Sequence, residues 1–358
     1  MTRWTVLSAA SVAAVLAATA LVPVVSAGDG DNSLLERARA VFQPLPKDAA
    51  TTAYPLTADR VELGRALFFE SRVSTDGKQS CANCHQPMFY GTDALATSVG
   101  NQGRALPRNV PTVFNTALQF VQHYGGNRVD VEEQAVKALM SPLAYGNADL
   151  AAAETRLRAI PGYRDMFVKA FPGEAEPVTA RNWGVAIGAY ERTLITPAPF
   201  DHFLEGDASA LSPQAKRGLD KFMAVGCSGC HSGATVGGQM YQKFGLTRDY
   251  WLATGSTEKD LLKGRDKGRF HDTKNEADAF IFKVQQLRNV AVTPPYFHDG
   301  SVATLSEAVR VMASLQLGRD DLSDADVADI VAFLESLTGA VPANFAAVPS
   351  LPPAPYRN

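Results

Sequence analysis

Cysteine is scarce in this chain, with four in 358 residues. All four lie in "CANCH" at 81–85 and "CSGCH" at 227–231, which leaves no thiol over for a disulfide framework. Any block of Lys and Arg is also missing. With 34 basic and 37 acidic residues the formal charge is −3, which excludes a surface built to track a nucleic-acid backbone. Strand-like alternation of apolar and polar residues is rare, so the expected fold class is all-α. No apolar run beyond residue 27 is long enough to span a bilayer.

At the N-terminus, Arg3 precedes an uncharged run rich in Ala, Val and Leu, which Pro23 interrupts and Val25-Ser26-Ala27 closes. That is the pattern of a secretory signal peptide, residues 1–27, cut after Ala27; an uncleaved anchor is the competing reading. Export would carry the chain into an oxidising compartment, where spare thiols become disulfides.

A length of 358 residues, 46% of them hydrophobic and 20% charged, suits two globular domains. Apolar spacing predicts helices over 33–42, 58–69, 148–158, 163–171 and 179–194, and Asp130 with Glu133 opens another. "TPAPFDHFLEGD" at 196–207 holds two prolines and reads as the linker, dividing an N-terminal domain, 28–199, from a C-terminal one, 200–340. Ser212 and Pro213 then start a helix leading into the second cysteine frame. "LGRALFF…CANCH" echoes "RGLDKFM…CSGCH", as expected of a duplicated domain, and "RNVPT" at 108–112 echoes "RNVAVT" at 288–293. The proline-rich 341–358 reads as an extended tail or strap.

In a C-x-x-C-H frame the two sulfurs lie about one helical turn apart, so both reach the vinyl groups on one edge of a haem while the next His falls beneath its iron. Cys81, Cys84, Cys227 and Cys230 are therefore candidates for thioether attachment of two haem c groups, with His85 and His231 as proximal ligands. A zinc site and a redox dithiol are the competing readings. Thr304 and Glu307 open a helix whose apolar face includes Met312, a candidate sixth ligand for the second iron or simply a core methionine. Met240 is the other candidate.

"LGRALFFESRVSTDGKQSCANCH", "PRNVPTVFN", "FKVQQLRNVAVTPPYFHDGSVATLSEAVRVM" and "LSDADVADIVAFLESLTG" occur in an order that resembles the bacterial dihaem cytochrome c peroxidases and their MauG relatives, over roughly residues 60–340. The resemblance implies two cytochrome c-like domains, each with one covalent haem c, and a calcium ion between them. It implies a periplasmic enzyme in which the first haem meets hydrogen peroxide and the second relays electrons from a small c-type cytochrome or cupredoxin. It implies Met312 as the second haem's distal ligand, where the MauG group has Tyr. Asn109, Thr293 and Pro295 match the calcium ligands, the last two through their carbonyls. His298 matches a histidine near the propionates, and Arg288 is a candidate to neutralise one of them. A homodimer is a further expectation from the family.

Three positions depart from the family pattern. Asn101 of "SVGNQG" stands where the peroxidases carry a displaceable distal His, Tyr124 of "HYGGNR" where they carry Trp between the haems, and Ala144 of "SPLAYGN" where they carry Glu above the peroxide iron. Peroxide cleavage needs a group that moves a proton between the two oxygens, and Ala144 cannot. His123, beside Tyr124, is the nearest substitute; a structural His and an iron ligand are its alternatives. Three functions stay open: a peroxidase, a MauG-like oxidase of a partner protein, and a non-catalytic dihaem electron carrier.

Overall fold

The structure is a computed structural model that describes residues 27–254 and 266–353. The signal-peptide reading, through residue 26, lies outside the described residues. Fourteen helices run through the described part. The first half holds α1 (Ala27–Arg39), α2 (Ala58–Phe68), α3 (Cys81–Cys84), α4 (Val131–Met140), α5 (Leu150–Arg158), α6 (Tyr163–Ala170) and α7 (Ala180–Glu191). The second holds α8 (Pro199–Glu205), α9 (Pro213–Ala224), α10 (Tyr250–Thr254), α11 (Phe270–Thr273), α12 (Leu305–Leu317), α13 (Asp324–Glu335) and α14 (Ala343–Ala346). The sheet content is small: β1 (Tyr241–Lys243) pairs antiparallel with β2 (Ile281–Lys283). No described helix is long and apolar enough to cross a membrane.

Local chemistry sets the helix starts. Asp130, Ser212 and Thr304 each sit in extended backbone, and each side chain accepts the amide of the residue three positions on. Pro213 occupies the first turn of α9, where its missing N–H costs nothing.

Two cores form, and the echo between halves governs both. In the first, α2 crosses α7 so closely that a Cβ at Gly64 would run into the Ala186 carbonyl. In the second, α9 crosses α13 in the same way, with Gly218 against the Asp329 carbonyl. Four residues after each glycine a Phe faces the frame's histidine: the Phe68 and His85 rings lie 6.4 Å apart, as do those of Phe222 and His231. The second sequence echo falls differently. Asn115 and Asn289, not Asn109 and Asn289, are the structural counterparts. Both adopt left-handed backbone and both side-chain amides bond the Thr196 hydroxyl at 2.9 Å.

Residues 196–207 are not an open linker. Thr196 is buried, Pro199 opens α8, and Phe200, Phe203 and Leu204 sit inside the second core. Proline ends a preceding helix but begins a new one equally well, and here the apolar residues behind it decide which. The termini cross over. Leu34, Ala38 and Phe42, on and just after α1, pack in the second core, while Phe345 of α14 is buried in the first. The described part of the tail, through residue 353, is held against the first half: Arg65 donates to the Ala347 carbonyl at 2.7 Å and Arg72 to the Pro352 carbonyl at 2.9 Å.

Candidate functional site

The first frame forms α3, whose amide end is tied by Ser80 N–H donating to Asn83 Oδ1 at 2.8 Å. Cys81 and Cys84 are free thiols, half-buried, and burial pushes the Cys81 thiol up to about 12. His85 lies at 2.9 Å from the Gly91 carbonyl through Nδ1. A carbonyl only accepts, so Nδ1 carries the proton and Nε2 keeps its lone pair, the state an iron ligand requires. Burial holds the ring neutral by lowering its pKa.

Cys227 and Cys230 are likewise free. Burial lowers His231 to about 4; the Val236 and Gln285 carbonyls lie on its Nδ1 side without completing a hydrogen bond. Cys227, Cys230 and His231 line one large cavity, and Met312 of α12 lines it too. Met240 does not; its carbonyl accepts the Val284 amide at 2.9 Å. Two unpaired thiols, a neutral histidine and a thioether on one predominantly apolar cavity are a donor set that fits a covalent haem c. Bound there, the haem would supply one-electron iron chemistry; Cys227 and Cys230 would anchor it and His231 would hold its iron.

The three expected calcium ligands share a cavity. Asn109, Thr293 and Pro295 border the same cavity. Asn109 donates through Nδ2 to the Leu95 carbonyl at 2.8 Å, which turns Oδ1 toward the Tyr124 hydroxyl at 3.4 Å. The Thr293 hydroxyl bonds back to the Asn289 and Val290 carbonyls. Among the described residues no group of three His, Cys, Asp or Glu side chains could hold a metal. A cation here would rest on an amide and carbonyls, the donors hard cations accept.

Tyr124 is buried on this cavity, and burial raises its phenol above the usual range. His298 is buried beside it in an aromatic cage, with Phe282 at 4.6 Å and Tyr250 at 5.1 Å between ring centres. Its Nε2 has no hydrogen-bond partner and lies 3.9 Å from Asp266. Arg288 also borders the cavity, but its charge is already matched: Nη1 and Nη2 meet Asp201 at 2.7 and 2.9 Å, and Nε meets the Ala234 carbonyl at 2.9 Å. That pairing matches the charge of Arg288 within the protein and leaves two of its five N–H donors without a described partner.

His123 does not line the cavity. Its Nδ1 lies 2.8 Å from Asn127 Oδ1, while Asn127 Nδ2 donates to Asp272, so the ring donates from Nδ1 and presents a bare Nε2. Burial, reinforced by Arg128, lowers it to about 4. Asn101 and Ala144, by contrast, are brought together. The loop after the first frame packs on the 141–147 turn, with Asn101 N–H donating to the Leu143 carbonyl at 3.0 Å and Asn101 Oδ1 buried without a partner. No described hydrogen bond joins His123 to either residue.

Two residues were missed in the sequence. Tyr145, next to Ala144, places its hydroxyl 3.7 Å from Cys81 Sγ. Lys283 is buried on the main cavity and donates to Gln119 Oε1. Its sequence signal was a lone charge inside the apolar run 281–284.

Paired C-x-x-C-H frames on two echoing helical cores, with a thioether on the second frame's cavity, define a dihaem c-type oxidoreductase. The profile of the family described as di-haem cytochrome c peroxidase matches residues 58–209. The cytochrome c551 peroxidase of Pseudomonas aeruginosa is 42% identical over 87% of this chain and 88% of its own. That of Nitrosomonas europaea is 40% identical over 88% and 89%. A solved MauG-like protein associated with microbial copper homeostasis superposes with a TM-score of 0.73 at 28% identity, covering 84% of this chain and 96% of its own. The chain belongs to the dihaem cytochrome c peroxidase and MauG family, and it is a peroxidase-type oxidoreductase.

Proposed function

We propose that this protein is a periplasmic peroxidase that reduces hydrogen peroxide to water at the haem of Cys81, Cys84 and His85. Electrons enter through the haem of Cys227, Cys230 and His231 from a small c-type cytochrome or cupredoxin. The observation that carries the reading is Met312 on the cavity of the second frame, because a thioether ligand raises the potential of a haem and suits it to accept and relay electrons. His85 and His231 would hold the irons, Tyr124 would stand between the two centres, and Asn109 with the Thr293 and Pro295 carbonyls would take a calcium ion. The cytochrome c551 peroxidases named above support both the substrate and a cytochrome donor.

A proton must still move between the peroxide oxygens, and neither Asn101 nor Ala144 can carry it at neutral pH. That loss favours a second reading, a non-catalytic dihaem electron carrier, whereas a first iron left open by the missing distal His is the feature for a MauG-like oxidase acting on a partner protein. Steady-state oxidation of a reduced small cytochrome c by peroxide, with the protein matured so that both haems are attached, decides between them. Turnover supports the peroxidase. No turnover, with peroxide-dependent modification of a partner protein, replaces it with the oxidase.

A further inference from the structure

The cavity beside the second frame has an imbalance of charge. Among the described residues that border it there are three Lys and Arg side chains and no Asp or Glu. Two of the three are accounted for. Arg288 is matched by Asp201, which sits behind the wall, and Lys243 is exposed, so water balances it. Lys283 has no described carboxylate partner and is buried. It lies at the end of β2 with 3% of its surface exposed, and its ammonium donates to one described acceptor, the neutral amide oxygen of Gln119.

An ammonium has three protons to donate and no means of spreading its charge. Buried without an anion it is costly, and burial alone draws it down to about 7. The wall supplies no carboxylate, so the anion must come with the occupant. A haem carries two propionates, and the thiols that would anchor one border this same cavity. We propose that Lys283 is the counter-ion of a propionate on the haem attached at Cys227 and Cys230, since the charge of Arg288 is already matched by Asp201. The inference rests on the second haem of the proposed function. It also gives Gln119 a purpose: an acceptor from the first half of the chain fixes the ammonium of the second, beside Tyr124, whose carbonyl accepts the Lys283 amide at 2.8 Å.

A cation near the iron disfavours the ferric state, which carries one more positive charge, and so raises the midpoint potential. The test is spectroelectrochemical titration of the holoprotein with both haems covalently attached. In Lys283→Met the second haem's midpoint shifts downward while the first haem's stays in place, and Lys283→Arg returns it toward wild type. Should Lys283→Met fail to take up haem, Gln119→Glu, which sets a carboxylate against the retained lysine, is read instead and moves the same midpoint downward. An unmoved second midpoint, or an equal shift of both haems, overturns the role of Lys283. Fewer than two covalent haems in the wild-type protein by mass spectrometry overturns the underlying reading instead, so the two failures are told apart.

Discussion

Substituting Asp201 by Asn tests how the second core is held. The carboxylate accepts four hydrogen bonds: from the amides of Leu45 and Ala198, each at 2.7 Å, and from the two Nη atoms of Arg288 at 2.7 and 2.9 Å. The side chains are 0% exposed at Arg288 and 4% at Asp201, so water screens neither charge. Asn keeps the shape but removes the charge, leaving a guanidinium buried without an anion; breaking a buried pair in this way costs about 3–5 kcal/mol. The loss is expected in urea denaturation followed by circular dichroism at 222 nm. Replacing the arginine as well, as in Asp201→Asn with Arg288→Met, removes the orphaned charge while the Asn Oδ1 can still accept a backbone amide, and is expected to recover at least half of the loss. A single-variant loss below about 1 kcal/mol would refute the reasoning, since it is the figure for an exposed pair.

Replacing Cys81 and Cys84 together by Ala is expected to leave one covalent haem of two by mass spectrometry, as is the same change at Cys227 and Cys230. Met312→Ala is expected to lower the second haem's midpoint by on the order of 100 mV, a small part of the roughly 0.8 V over which axial ligands tune haem iron; an unchanged midpoint returns Met312 to a packing role. Glu191 is buried on α7, and desolvation raises its carboxyl from 4.5 to about 8. The folded state therefore holds a proton that the unfolded state releases, so this contribution to stability is complete below pH 4.5 and is lost as pH rises to about 8. Glu191→Gln is expected to flatten that decline by up to about 1.4 kcal/mol per pH unit between pH 5.5 and 7.5, read as unfolding free energy against pH.

The helix starts were legible in the sequence because capping is local: Asp130, Ser212 and Thr304 act on amides three residues away, and no distant packing is needed to see them. The two cysteine frames were legible for the same reason. What the sequence hid was whatever depends on partners far along the chain. Arg288 looked free because Asp201 stands 87 residues earlier, and Lys283 went unremarked because Gln119 stands 164 residues earlier. The stretch 196–207 looked like a linker because proline marks a boundary whether a loop or a new helix lies beyond it. Spacing alone left both Met312 and Met240 as candidates; the family resemblance singled out Met312, and of the two it is the one that borders the cavity.

The crossing of the termini gives these long-range contacts a common consequence. α1 and the residues after it belong to the second core, α14 to the first, and Thr196 is shared by Asn115 of one half and Asn289 of the other. Between the cores run the Arg108–Asp266 pair, the Gln286–Phe114 hydrogen bond and the Lys283–Gln119 contact. These bonds lie on or beside the second frame's cavity, with Arg108 next to Asn109 in the chain and both Gln286 and Lys283 on the wall. A displacement of one half against the other would therefore strain the groups around that cavity before it opened either apolar core. Under the proposed function electrons pass between two centres, and the fold puts these bonds between the cores where a fixed separation would matter most.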